Sequence, residues 1–225
     1  MHLAVANWFA LCVPFIVCDA ASAIADDLTN DDWTGYAVWL VIAAALAVWA
    51  RIAAVRVLRG DPFRRALGAA LRRPALFVYF IVACAEPWLT DFGSTLVALP
   101  LFFAGSLIVF AAMLALVASV SDDVSPARAL AYWLREMCRP RRLGVNLAGA
   151  LIVAFLTIVL PDLLEALPGT GWQPLRYLFA VPEGLGDAFA MTFVVLWYDA
   201  VLDDRYGRDI EQLLDAKPAR ISPGA

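Results

Sequence analysis

Five acidic residues stand in or beside long apolar stretches of this chain: Asp19, Glu86, Asp162, Glu165 and Asp187. A carboxylate inside a membrane is costly, and it usually faces a cavity, a partner charge or an ion pathway. We therefore predict that these residues surround an outward-facing acidic vestibule, which would bind a proton, a cation or a cationic part of a substrate. The alternative is that they are polar helix ends that reach the outer headgroup region.

Glu86 is the strongest candidate of the five. Pro87 follows it, limits the helix and leaves backbone carbonyls without helical partners. Its apolar stretch is also the shortest in the chain, which favours a water-filled approach from outside. Asp187 is the natural second member. Asp162 and Glu165 stand three residues apart, so on one helix they could jointly hold a hydrated divalent ion.

Two short motifs near the C-terminus resemble those of intramembrane aspartyl proteases of the presenilin and prepilin-peptidase kind. They are Gly184-Leu185-Gly186-Asp187 and Tyr198-Asp199. That chemistry needs two carboxylates that share one proton. Here both aspartates fall on one predicted helix, about 18 Å apart, and in the reverse order. We therefore expect no catalytic dyad, and we expect the glycines to permit a bend or close helix packing.

Other catalytic, metal and cofactor chemistry finds little support. The only histidine is His2, so Ser106 has no histidine base within the apolar segments and histidine-based haem or zinc sites are not expected. The four cysteines contain no C-x-x-C pair. We predict no enzyme activity and no cofactor, and we leave open whether Cys18 and Cys84 pair or stay as free thiols.

The composition indicates a membrane protein. Hydrophobic residues form 63% of the 225 residues and charged residues 17%, against about 45–50% and about 25% in soluble domains. A soluble globule of this size could not bury so much apolar surface. This excludes a soluble enzyme, a disordered chain and a nucleic-acid-binding domain.

Six stretches are long and apolar enough, or nearly so, to cross about 30 Å of hydrocarbon as helices. The third is short, and the sixth begins with Pro182, Gly184 and Gly186, so these two could be tilted or broken. The six stretches are Leu3–Ala25, Trp33–Val55, Ala75–Thr90, Leu96–Val120, Val145–Leu167 and Leu178–Val201.

The first stretch could instead be a cleaved signal, because Ala21-Ser22-Ala23 is similar to a cleavage site. We favour a retained anchor, since no lysine or arginine precedes the stretch.

The distribution of charge predicts the orientation. Sixteen of the seventeen basic residues, Arg51 included, are assigned to the segments between spans 2 and 3 and between spans 4 and 5 or to the tail. Because lysine and arginine concentrate on the cytoplasmic side, both termini should be cytoplasmic, in a plasma or bacterial inner membrane. We expect residues 1–202 to form the membrane domain and residues 203–225 a short cytoplasmic tail.

Two arginine-rich loops, 61–73 and 125–139, share a helix-starting proline, an Arg-Ala-Leu element and a closing proline. Apolar residues at helical spacing predict amphipathic helices at the membrane interface, and the shared elements favour an internal duplication over unrelated connectors. We expect their arginines to contact anionic lipid headgroups or a cytoplasmic protein partner, and we expect no nucleic acid partner. These arginines are Arg64, Arg65, Arg72, Arg73, Arg128, Arg135 and Arg139.

The predicted fold is therefore all-α: a polytopic membrane protein of six helices in three hairpins, with two cytoplasmic interfacial helices. This order, with a last span closing in Tyr198-Asp199, resembles the membrane domain found with glycerophosphoryl diester phosphodiesterases and related six-span bacterial proteins. Those families often close with a Tyr-Asp-Leu-Arg-like segment, whereas Ala200 and Val201 follow here. The resemblance implies a non-catalytic membrane domain. Because no catalytic constellation is found, we rank a non-enzymatic membrane domain or accessory subunit of the envelope first, and a small permease that uses the outer acidic residues is the alternative.

Overall fold

Helices make up nearly all of the structure, a computed structural model that describes residues 8–29, 33–70, 79–84, 98–122, 124–160, 163 and 173–215. No strand occurs in these ranges. Residues 79–84 form a further short helical stretch. The helices are α1 (Trp8–Thr29), α2 (Trp33–Leu58), α3 (Phe63–Ala70), α4 (Ala98–Ser121), α5 (Pro126–Met137), α6 (Leu143–Ala154) and α7 (Gln173–Asp215).

Three of the helices are long and apolar enough to cross a membrane: Thr34–Leu58 in α2, Pro100–Ser121 in α4 and Leu178–Leu202 in α7. The all-helical, membrane-capable class is therefore confirmed. Shorter apolar helices cover Leu11–Ala21 and Leu143–Val159, within predicted spans 1 and 5. Most of predicted span 3 lies outside the described residues, so the count of six stays a prediction.

Helices α4 and α7 lie at the centre of the bundle. From Val109 to Val120 every residue of α4 is buried, and Phe110 and Leu114 are completely enclosed. Helix α7 packs against α1, α2, α4 and α6. The core is therefore built from apolar side chains on all faces of α4, as expected for a helix surrounded by other helices.

Helix α7 continues unbroken past Pro182 to Asp215. A break near Pro182, one of the possibilities that the sequence left open, is therefore absent, and the helical part of the predicted tail extends the last span. In contrast, α6 passes into a π-helical turn, Phe155–Val159. Such a turn widens the helix by one residue and changes which side chains face its neighbours.

Glycine ends α2 and redirects the chain. Gly60 has φ of +92°, its N–H donates to the Val57 carbonyl, and the Asp61 N–H donates to the Arg56 carbonyl. This is the glycine-dependent helix end in which a left-handed residue satisfies the last carbonyls. As a result, α2 extends to Leu58, beyond the predicted end at Val55.

The two predicted amphipathic segments are confirmed as helices, α3 and α5. Each packs against the long helix that precedes it, and each buries the alanine of its Arg-Ala-Leu element, Ala66 in α3 and Ala129 in α5. These two alanines are 63 residues apart, which is also the spacing between the ends of α2 and α4 at Leu58 and Ser121. The two helix pairs thus have the same layout.

Candidate functional site

Charged side chains from three helices meet inside the bundle. Asp19 of α1 interacts electrostatically with Glu183 and Asp187 of α7 and with Arg51 of α2. Asp19 is near the middle of α1, and Asp187 is about 18 Å along α7 from Asp199. We call these four residues the intramembrane polar cluster.

Close packing of α1 on α7 brings the cluster together. A Cβ atom added at Gly184 would lie only 2.5 Å from the backbone nitrogen of Ile16, so glycine allows the two helix backbones to approach. Glu183 and Asp187 are four residues apart and therefore share one face of α7. The expectation that Gly184 and Gly186 permit close helix packing is confirmed.

Asp19 has an unusual environment for a carboxylate. Its Oδ2 atom is buried and has no hydrogen-bond partner among the described residues. A buried polar atom without a partner costs about 1–3 kcal/mol, and more if it is charged. Such an atom calls for an explanation in function or in an unseen partner.

Arg51 lies inside α2, seven residues before its end at Leu58. Grouping it with the cytoplasmic loop arginines is therefore wrong for this residue. Arg51 also borders a small cavity of about 20 Å³, together with Tyr79 and Met113. That volume is enough for one water molecule.

Two of the five predicted acidic residues, Asp19 and Asp187, come together in the cluster. Glu86, Asp162 and Glu165 lie outside the described residues, so their part in a vestibule stays a prediction. Sequence reasoning missed Glu183 and Arg51. The four-residue spacing of Glu183 from Asp187 was a signal for the first, and the apolar run that follows Arg51 was a signal for the second.

A second polar group ties the C-terminal ends of α2 and α4 to α7. Arg59 donates to both carboxylate oxygens of Asp199, at 3.0 and 2.7 Å, and its Nε donates to the Ser121 hydroxyl at 3.0 Å. The Tyr198 hydroxyl donates to Asp122. We call these five residues the Arg59 network.

The Arg59 network gives the Tyr198-Asp199 motif a structural role. Asp199 is paired with Arg59, whereas Asp187 belongs to the intramembrane cluster twelve residues away on the same unbroken helix. The two aspartates therefore do not form a dyad.

Helix α5 carries a buried acid that the sequence did not single out. The Glu136 carboxylate is buried and lies 3.1 Å from the guanidinium of Arg139 and 3.6 Å from that of Arg142. The Asn146 side chain donates to the Glu136 backbone carbonyl at 3.2 Å. These contacts fasten the end of α5 to the start of α6.

The arginines predicted to contact lipid fall into three groups. Arg64, Arg65, Arg128 and Arg135 are exposed. Arg139 is also exposed but is paired with Glu136, and Arg72 and Arg73 lie outside the described residues.

All four cysteines are free thiols, so Cys18 and Cys84 are not joined. The Cys18 thiol donates to the Leu46 carbonyl at 3.3 Å. Within the described part of the chain, no three His, Cys, Asp or Glu side chains are arranged to hold a metal ion.

Comparisons with known proteins find no match to the chain, whether with family models, with curated proteins or with solved structures.

Proposed function

We propose that the protein is a small multi-pass permease of the bacterial inner membrane, which binds a proton or a small cation at the intramembrane polar cluster. The observation that carries the proposal is the convergence of Asp19, Glu183 and Asp187 with Arg51 between apolar helices. Charged groups at such a position are rare, and they are typical of ion and proton pathways.

The balance of charge in the cluster supports a cationic ligand. The cluster itself has three carboxylates and one arginine, so its four side chains together carry a net negative charge when all are ionised. A proton or a bound cation would remove that excess, and it would also supply a partner for the buried Asp19 Oδ2 atom. Repulsion between neighbouring carboxylates is a common source of proton affinity in proteins.

The proposed topology has six spans and both termini in the cytoplasm. Without Arg51, fifteen of the seventeen basic residues fall between spans 2 and 3, between spans 4 and 5, or in the tail, and this distribution supports it. In this orientation the Arg59 network lies at the cytoplasmic end of the bundle, and the intramembrane polar cluster lies about 18 Å from it, measured along α7.

The second candidate is a non-enzymatic membrane domain or accessory subunit, as the resemblance to the phosphodiesterase membrane domain implies. The observation that favours it is the Arg59 network, because a bidentate pair that joins three helices suits a rigid scaffold. The two candidates differ in one respect: a scaffold does not require the intramembrane polar cluster to move ions.

Flux measurements separate the two. The purified protein is reconstituted into liposomes, and proton entry is followed with a trapped pH-sensitive dye under an imposed membrane potential; sodium and potassium uptake are followed separately. We expect Asp19→Asn and Asp187→Asn to abolish a flux that the unmodified protein supports. Asp61→Asn is the matched control, because Asp61 pairs with Arg56 outside the cluster.

Glu86→Gln tests whether the predicted vestibule residue belongs to the same pathway. Loss of flux in Glu86→Gln as well as in Asp19→Asn supports one continuous route. A flux that persists in both Asp19→Asn and Asp187→Asn would overturn the permease. Absence of any proton, sodium or potassium flux from the unmodified protein would favour the scaffold.

A further inference from the structure

Helix α5 presents three different faces. The first packs on the protein: Ala129, Trp133 and Met137 are all buried. The Trp133 ring lies 5.7 Å from the ring of Tyr198 in α7, next to the Arg59 network. This face fixes the rotation of α5 about its axis and so determines where its other side chains point.

The second face is an apolar stripe. Ala127 and Ala131 are exposed, and Leu130 and Leu134 are half-buried. At helical spacing these four residues form one strip beside the protein-packed face.

The third face carries positive charge. Arg128 and Arg135 are exposed and seven residues apart, so they lie on the same side of α5 about 10 Å from each other. The only acidic residue of α5 is Glu136, which is buried and paired with Arg139 and Arg142. The exposed charge of α5 is therefore entirely positive.

We infer that α5 is a binding surface for anionic phospholipid headgroups, with Arg128 and Arg135 holding phosphates while the Ala127–Leu134 stripe contacts the acyl-chain boundary. An apolar strip beside arginines matches a membrane surface, which offers hydrocarbon and negative charge at adjacent depths. Arg139 is outside this site because the Glu136 carboxylate already engages its guanidinium.

The inference rests on the membrane location in the proposed function but not on ion transport. A soluble acidic protein could also bind arginines, but it would not require the apolar stripe beside them. The inference also separates Arg128 and Arg135, which belong to the site, from arginines of equal charge that follow the end of α5. This distinction makes the inference testable against a general attraction between basic loops and lipid.

The test measures which lipids the protein retains. Protein is extracted in mild detergent from membranes of equal parts phosphatidylglycerol and phosphatidylcholine, purified, and its bound lipid analysed by mass spectrometry. We expect phosphatidylglycerol to be enriched several-fold over the input. Arg128→Gln/Arg135→Gln should remove most of the enrichment, and Arg128→Lys/Arg135→Lys should keep it because the positive charge remains.

The matched control is Arg139→Gln/Arg141→Gln, which removes the same charge from the end of α5 and the loop that follows. We expect it to keep the enrichment. Thermal melting in phosphatidylcholine nanodiscs checks that each variant is folded. If Arg128→Gln/Arg135→Gln is not folded, the single variant Arg135→Gln replaces it in the lipid measurement. Unchanged enrichment in Arg128→Gln/Arg135→Gln would overturn the inference, and so would an equal loss in the control.

A negative result in the lipid measurement does not change what the flux measurements on Asp19→Asn say about ion transport. Loss of flux in Asp19→Asn with unchanged lipid enrichment in Arg128→Gln/Arg135→Gln would overturn only the lipid site. If Arg128→Gln/Arg135→Gln loses a co-purifying acidic protein and keeps the enrichment, the surface binds protein and the lipid assignment is wrong.

Discussion

Two acidic residues in the protein interior, Asp19 and Glu136, differ in how their charge is balanced. Glu136 is buried, but two guanidinium groups lie within 4 Å of its carboxylate. Asp19 shares its surroundings with two other carboxylates and one arginine, and its Oδ2 atom has no partner among the described residues. The first arrangement suits stability, whereas the second lowers stability and is typical of sites kept for function.

Amide substitutions at these two positions should therefore change the free energy of unfolding in opposite directions. Asp19→Asn removes a negative charge from beside Glu183 and Asp187, so we expect the free energy of unfolding to rise by about 1 kcal/mol. Glu136→Gln loses two charged partners, and we expect a fall of about 1–3 kcal/mol.

Thermal melting of each purified variant measures the effect, and a change of 1 kcal/mol corresponds to about 2–4 °C at this chain length. Asp61→Asn, which alters a half-buried pair outside both sites, should shift the melting temperature least. A strong loss of stability in Asp19→Asn would mean that the Asp19 carboxylate is structural.

At the scale of helices, α7 depends on two glycines for its contacts. A Cβ atom at Gly184 would meet the α1 backbone at 2.5 Å, and one at Gly186 would lie 2.7 Å from the Leu156 carbonyl oxygen in the π-helical turn of α6. Both neighbours are backbone atoms, which cannot rotate away as a side chain can. The two glycines therefore control how closely α1 and α6 approach on either side of the cluster.

Alanine substitution tests this dependence. We expect Gly184→Ala and Gly186→Ala each to lower the free energy of unfolding by about 1–3 kcal/mol through overpacking. Gly144→Ala is the matched control, because a Cβ atom there meets nothing within 4 Å, and the gain in helix propensity should stabilise α6 by up to about 1 kcal/mol. Thermal melting in one detergent compares the three; equal stability of Gly186→Ala and the unmodified protein would contradict the close contact.

The helices could be predicted from the sequence better than the site could. Long apolar runs and the prolines before α3 and α5 are local signals, so the fold class and both amphipathic helices were predicted. The end of α2 lies three residues beyond the predicted one, because the helix continues past the apolar run until Gly60 ends it. Arg51 was assigned to a loop because the carboxylates that accompany it come from α1 and α7, and sequence periodicity carries no information about contacts between distant segments.

At the scale of the whole molecule, the Arg59 network joins the end of α2 to the end of α4 and to α7. The end of α2 adjoins α3 and the end of α4 adjoins α5, so the described arginines of α3 and α5 lie at the same end of the bundle as the Arg59 network. The equal 63-residue spacing gives the two helix pairs the same layout at this end. The proposed orientation places that end in the cytoplasm.

The native cysteines provide a direct test of the orientation. Cys138 is exposed after α5, whereas Cys12 and Cys18 are buried and Cys84 is half-buried. A membrane-impermeant maleimide should therefore label Cys138 in inside-out vesicles but not in intact cells. Cys138→Ser should remove most of this label, and adding Arg141→Cys to that variant should restore it on the same side.

Asp27→Cys in the Cys138→Ser background provides the opposite probe, because Asp27 belongs to the acidic segment between the first two predicted spans. We expect it to react in intact cells. Four acidic residues and no basic residue lie in that segment, so the charge asymmetry across the bilayer favours this side for it. Labelling of Cys138 or Arg141→Cys in intact cells would reverse the orientation. It would then place the Arg59 network and the α5 arginines, with the proposed lipid site, on the outer surface.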